Sequence, residues 1–259
     1  MLGTFIELRG HVGRFLRRTT ERDEDFCQIG NFHARILAKF ICRGNTDKQS
    51  VKLFRCVLAS RDLFAAFICG KLGAVKILVA ITGASGALYA QRLLDNLNPR
   101  EHQIHVVMSN YAQQVVAEEL PGGLKLPEGV TPHSLKSMNA PFASGSNPPD
   151  AMVVIPCTMG TMGRIAHGYS EDVLLRAADV TLKEKKKLIL VPRETPFSLI
   201  HIKNMELLIL AGAIIMPANP SFYSGADSVV QVVDTVVARV LDHIGVANQL
   251  APRWAEERE

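Results

Sequence analysis

Cysteine is scarce and badly spaced for metal. Only five occur in 259 residues, and no two form the close C-x-x-C pair of a structural zinc site. Cys27, Cys42, Cys56 and Cys69 are 15, 14 and 13 residues apart, and Cys157 stands alone beyond them. An odd total with no secretory signal excludes a disulfide framework and predicts a reducing, cytoplasmic setting. No apolar run reaches the roughly 18 residues that would cross a membrane. No cluster of His, Asp and Glu has metal-ligand spacing, so no metal is expected. Charge of one sign is lacking as well. Residues 1–70 carry 12 Lys/Arg against 7 Asp/Glu, while residues 71–259 carry 17 against 18. The longer segment is near neutral, which argues against a nucleic-acid partner.

Sustained periodicity is missing from residues 1–74, where short apolar stretches such as 51–54 and 63–68 are broken by Arg and Lys. Arg14, Arg17, Arg18 and Arg22 suit a transit peptide, but the acidic cluster Glu21, Asp23, Glu24, Asp25 does not. This segment reads as a poorly ordered extension or the product of a start site assigned too far upstream, with a targeting or accessory segment as alternatives. No Met lies between Met1 and Met108.

From Val75 the pattern becomes alternating strand and helix. Strands are predicted at 75–81, 104–108, 151–155, 188–191 and 213–216. Helices are predicted at 87–97, 111–120, 172–186, 198–210 and 228–244. Short unbroken apolar strands separated by amphipathic helices predict a parallel sheet covered on both faces, within a single α/β domain over 75–259. In such a sheet the ligand lies beyond the C-terminal strand ends, so the loops after the strands are the place to look.

The first of these loops is Thr82-Gly83-Ala84-Ser85-Gly86-Ala87. Its glycines allow a tight turn, and the helix that follows is expected to aim free N–H groups at an anion. It is not G-x-G-x-x-G, and no acidic residue follows the second strand to hold a ribose diol. That strand ends in Ser109-Asn110, which suits a mononucleotide better than a dinucleotide. The third strand runs into Pro156-Cys157-Thr158-Met159-Gly160-Thr161, a second hydroxyl-rich turn. Cys157 reads as a small buried residue and not a nucleophile. Residues 141–149, Pro141-Phe142-Ala143-Ser144-Gly145-Ser146-Asn147-Pro148-Pro149, have no helix or strand period and read as a functional loop. Arg176 and Lys183, seven residues apart, share one helix face on which two cations could receive a phosphate. The run Lys185-Lys186-Lys187 reads as a solvated helix end. After the fourth strand, Arg193 can hold an anion and Glu194 is a candidate proton donor or acceptor. The fifth strand leads towards Tyr223, and Arg239 lies in the last helix.

Together, TGASGA (82–87), Ser109, ASGS (143–146), PCTMGT (156–161), RAADV (176–180), LKE (182–184), VPRETPFS (191–198), FY (222–223), VVAR (236–239) and PRW (252–254) strongly resemble the UbiX-type flavin prenyltransferases. The resemblance runs in order from about 75 to 259. It implies a flavodoxin-like, Rossmann-like domain that assembles as a homododecamer with active sites shared between subunits. It also implies transfer of the dimethylallyl group of dimethylallyl monophosphate to N5 and C6 of reduced FMN without a metal. The product, prenylated FMN, would serve a separate decarboxylase. By motif, Gly83, Ala84, Ser85, Ser109, Thr158, Met159, Gly160, Thr161 and Arg193 would bind FMN. Tyr223, Arg239 and Lys183 would hold the prenyl phosphate. Glu194 would be the acid/base, with Ser144, Arg176 and Glu119 completing the polar shell and Trp254 offering a ring face to the allylic cation.

Two other readings compete. A flavin-dependent decarboxylase of the same superfamily would carry a P-A-S-A-N-T-type segment and a catalytic His, whereas here the turn is PCTMGT and His167 has no equivalent setting. A non-catalytic FMN-binding protein would need only the two turns, and has no use for Lys183, Glu194, Tyr223 and Arg239.

Overall fold

Six strands, all parallel, form one sheet in the order β3-β2-β1-β4-β5-β6. The computed structural model describes residues 74–253 except Ser224, so the expectation for residues 1–73 and that for Trp254 lie outside the described residues. The strands are β1 (Lys76–Ile81), β2 (Gln103–Met108), β3 (Thr131–His133), β4 (Ala151–Cys157), β5 (Lys187–Pro192) and β6 (Ile214–Ile215). The helices are α1 (Ala87–Asp95), α2 (Asn110–Glu119), α3 (Met159–Ala166), α4 (Val173–Lys183), α5 (Leu199–Ala211) and α6 (Val229–Ile244).

The continuous apolar strands bury both faces. Ile77, Val79 and Ile81 of β1 and Val153 and Ile155 of β4 point into a core shared with α1 and α6. Leu78, Ala80, Met152 and Val154 point into a second core beneath α3, α4 and α5. Side chains alternate across the pleat, so a one-residue slip would exchange the two cores. The helices change sides between β1 and β4, which makes that crevice the topological switch point.

Two elements were absent from the sequence-based expectation. β3 is a three-residue edge strand containing Pro132, too short for a period to show. α3 begins inside the PCTMGT segment read as a turn, its helical pattern weakened by Gly160 and Gly163. Gly163 has a packing reason: a Cβ there would sit 3.0 Å from Asn204 Nδ2 of α5. The lysine run is also corrected. α4 stops at Lys183, Lys185 takes a left-handed φ of 56°, Lys186 pairs with Asp150 at 2.9 Å, and Lys187 opens β5.

α6 is fastened to α1 by a two-pronged ion pair. Arg92 Nε and Nη2 each donate to Asp234 at 2.8 Å, and Asp234 is 5% exposed. Burial opposes the Arg92 charge, but the Asp234 hydrogen bond outweighs it and raises the guanidinium pKa. Removing the carboxylate strands a half-buried cation. Asp234→Ala is therefore expected to lower unfolding free energy by about 2 kcal/mol, measured by urea denaturation of the full chain.

α5 carries apolar side chains on its exposed as well as its buried face, beside an exposed Lys203–Glu206 pair. Met205 and Leu208 face the core, while Leu199, Ile200, Ile209 and Leu210 are 57–79% exposed. Phe222, Tyr223 and Val229 add further exposed apolar surface, more than a solitary domain usually shows.

Candidate active site

At the C-terminal strand ends, Thr82 staples the switch point together. Its Oγ1 donates to Pro156 C=O at 2.8 Å and accepts from Thr158 N–H at 2.8 Å, joining the loops after β1 and β4. Thr158 then caps α3, its Oγ1 accepting from Thr161 N–H at 3.1 Å, and Ser109 caps α2 by accepting from Ala112 N–H at 3.1 Å. The N–H groups of Met159 and Gly160, the first two of α3, have no acceptor among the described residues. A Cβ at Gly160 would point into open space. Arg193 leans over the β1 loop, Nε donating to Ser85 C=O at 3.1 Å.

The expected anion cradle at α1 is already filled. The N-cap is Gly86, at φ 116°, and offers no side chain. Instead Glu119, at the end of α2, accepts from Gly86 N–H at 2.8 Å and Ala87 N–H at 2.7 Å. The free N–H groups assigned to an incoming anion thus serve a resident carboxylate, and the open donors are those of α3. Gly83 makes the arrangement geometrically possible, because a Cβ there would collide with Tyr111 Cβ. Burial pushes the Glu119 pKa up, but the Ser85 hydroxyl, the two N–H groups and the Arg193 charge outweigh it and hold the carboxyl below its ordinary 4.5. A depressed carboxylate contributes stability that is present above its unfolded pKa and lost as pH falls through the folded one. Glu119→Ala is expected to cost about 1 kcal/mol at neutral pH and to remove that part of the acid-side decline. Denaturant titrations above and below pH 4.5 check this.

Cys157 is wholly buried, and burial, only partly offset by a hydrogen bond from Met162, pushes its thiol up to about 12. It is inert packing, as the sequence suggested. Glu194 is exposed on the same rim, its Oε1 accepting from Thr195 N–H at 3.0 Å. His167 ends α3, its Nδ1 2.8 Å from Gly163 C=O, away from these loops.

A second polar cluster lies at the opposite end of the sheet. The 141–149 loop contains a single 3-10 turn, Pro141–Ala143, anchored by wholly buried Phe142 against the His105 and His133 rings. Arg176 Nε donates to Ala143 C=O at 3.1 Å and its Nη1 pairs with Asp179 at 2.9 Å. Ser144 and Ser146 hydroxyls lie 2.9 Å apart. Lys183 pairs with Glu184 beside Gly145. Asn147 meets Lys76 Nζ at the start of β1, and Asp150 receives Lys76 N–H and Lys186 Nζ at the start of β4, which fixes this cluster at the N-terminal rim. Arg176 and Lys183 therefore share a helix face as expected, along the 143–145 segment. Lys183, the last residue of α4, lies a strand length, about 20 Å, from Arg193 and Thr158, with Arg176 about two turns back along the helix. Tyr223 is exposed, and Arg239 is exposed on α6 without a carboxylate partner among the described residues.

The family profile described as Flavoprotein matches residues 69–241. A flavin prenyltransferase UbiX of Methanocaldococcus jannaschii is 44% identical over 182 residues, spanning 70% of this chain and 98% of its own length. The chain belongs to the UbiX-type flavin prenyltransferase family. Among solved members, AnUbiX (PadA1), crystallised with FMN and dimethylallyl pyrophosphate, is 37% identical and superposes with a TM-score of 0.66, covering 71% of this chain and all of its own. A dodecameric FMN-dependent UbiX-like decarboxylase from Escherichia coli O157:H7 is 39% identical with a TM-score of 0.65, over 70% of this chain and all of its own.

The switch-point residues fit a flavin mononucleotide. Two open N–H groups at α3, the Ser109 hydroxyl and the Arg193 guanidinium lie at the same strand ends as Gly160, while Thr158 Oγ1 donates to Thr161 Oγ1 at 2.9 Å. Thr82 and Asp179 went unremarked as individual residues, although Thr82 opens the TGASGA segment. The partner of Arg176 was visible only as an i,i+3 acid on the same helix. No helix among the described residues is long and apolar enough to cross a membrane.

Proposed function

We propose that this chain joins the dimethylallyl group of dimethylallyl monophosphate to N5 and C6 of reduced FMN and releases phosphate. Reduced FMN supplies the nucleophilic flavin atoms. Open N–H groups at Met159 and Gly160 carry the flavin half of this reading, since they offer an anion site where the β1 and β4 loops meet. Ser85, Ser109, Thr158, Thr161 and Arg193 orient the bound mononucleotide, with Gly83 and Ala84 allowing close approach. Lys183 and Arg176, with Tyr223 and Arg239, receive the negative charge that grows on the departing phosphate, and Ser144 and Glu119 complete the polar shell. Glu194 moves the proton. Trp254 would face the allylic cation.

One protomer holds these groups at two opposite rims of the sheet, so a complete site requires a neighbour. The exposed apolar side chains of α5 and of Phe222, Tyr223, Val229 and Val230 supply surface for that neighbour. In this proposal an assembly of the kind named for the dodecameric Escherichia coli relative joins one subunit's Lys183 to another's Arg193. The product would pass to a prenylated-FMN-dependent decarboxylase, and the lone inert cysteine of the domain suits the cytoplasm.

The test is anaerobic incubation with reduced FMN and either dimethylallyl monophosphate or pyrophosphate, followed by mass spectrometry of the flavin. A flavin heavier by one dimethylallyl group is expected with the monophosphate. An unmodified mass while FMN remains bound would sink the proposal.

A further inference from the structure

Lys183, the last residue of α4, has its ammonium 2.5 Å from Glu184 Oε1, a charge-assisted contact between neighbours in sequence. The pair is seated against the backbone of the 143–146 loop, because a Cβ at Gly145 would run into both Lys183 Nζ and Glu184 Oε1. Glu184 still donates its backbone N–H to Val180 C=O at 3.0 Å, but its carboxylate does nothing for the helix. It occupies the C-cap, where the carbonyl ends of the helix carry partial negative charge and a carboxylate is disfavoured. The chain then turns sharply through Lys185 in the left-handed region, and Lys186 N–H closes the helix on Thr181 C=O at 2.9 Å. That turn fixes the direction in which Glu184 leaves the helix. The other cation along this loop is similarly engaged, Arg176 being held by Asp179 and Ala143 C=O. Both α4 cations that face the loop therefore already have internal acceptors.

We infer that Glu184 is a positioning residue that occupies Lys183 in place of phosphate, so that phosphate binds only by displacing a resident carboxylate and is displaced by it in turn. The inference rests on the reading of Lys183 as a ligand of the prenyl phosphate. A phosphate arriving at Lys183 meets both the competing ion pair and the repulsion of an adjacent negative charge, and each weakens ground-state binding. Released phosphate is the species most affected, because it makes no compensating contact through a prenyl chain. Glu184 thus favours product departure at some expense of donor affinity.

The experiment uses the full-chain, FMN-loaded assembly with inorganic phosphate as probe. Competitive inhibition of prenyl transfer and direct calorimetric binding are measured for the wild type, Glu184→Gln, Glu184→Asp and Lys183→Ala. Glu184→Gln is expected to tighten phosphate binding about fivefold and to lower KM for dimethylallyl monophosphate by a similar factor without raising kcat. Glu184→Asp, which keeps the charge, should restore wild-type values. An unchanged or weaker phosphate constant in Glu184→Gln overturns the inference while leaving the site reading intact. Phosphate binding that is the same in Lys183→Ala and the wild type overturns the reading of Lys183 itself.

Discussion

Glu194→Gln is expected to leave FMN bound and to slow prenyl transfer by about 10²- to 10⁴-fold, the range over which a single positioned acid/base acts. Glu194 follows Pro192-Arg193 at the C-terminal end of β5, where Arg193 N–H reaches Cys157 C=O at 3.4 Å and the Arg193 side chain crosses to Ser85. The backbone that carries the carboxylate is therefore tied to both loops of the switch point. Glutamine keeps the size of the side chain and an oxygen that can accept from Thr195 N–H, and it removes only the ability to exchange a proton. Flavin absorbance of the purified protein checks retention of FMN, and single-turnover mass analysis under anaerobic conditions checks the rate. Wild-type turnover in the variant would take Glu194 out of the mechanism.

The layered α/β plan was legible because β1, β4 and β5 are buried on both faces and so read as continuous Val/Ile/Leu runs. Five helices begin behind a residue that caps by side-chain acceptance, namely Ser109, Thr158, Asp172, Ser198 and Ser228. α1 has no such signal. Its cap arrives from Glu119, 33 residues from Gly86, and a partner that far away leaves no local trace. That is why the glycine turn read as an empty cradle. The separation of Lys183 from Arg193 was likewise invisible as a motif, since ASGS, LKE and VPRE follow one another in a single family pattern. Only the direction of the crossover reveals it: α4 runs against the strands, so its last residue falls at the rim opposite the loop after β5.

The same separation predicts intersubunit complementation. Lys183→Ala removes a cation from the N-terminal rim and Glu194→Gln removes the proposed acid/base from the C-terminal rim, so on the proposed roles each homo-oligomer has every site defective. If sites were built within one protomer, mixed assemblies of the two variants would contain only defective sites. If one subunit's N-terminal rim completes another's C-terminal rim, random mixing at equal ratio leaves about a quarter of the sites with both rims intact. Co-expression with two different affinity tags, sequential purification and the flavin mass assay are expected to recover activity at about that fraction of wild type, from parents that are each about 10²-fold or more depressed. Mixing Glu194→Gln with Arg193→Ala, which lie on the same rim, should recover nothing, because every C-terminal rim in that assembly is damaged. Recovery in that control would place Arg193 and Glu194 in the sites of different subunits and overturn the rim assignment. No recovery in the cross-rim pair, once mixed assembly is verified, would place the whole site within a single chain. It would also require Lys183 to reach Arg193 across the length of β4, which the contacts of Lys183 with Glu184 and Gly145 at the far rim oppose.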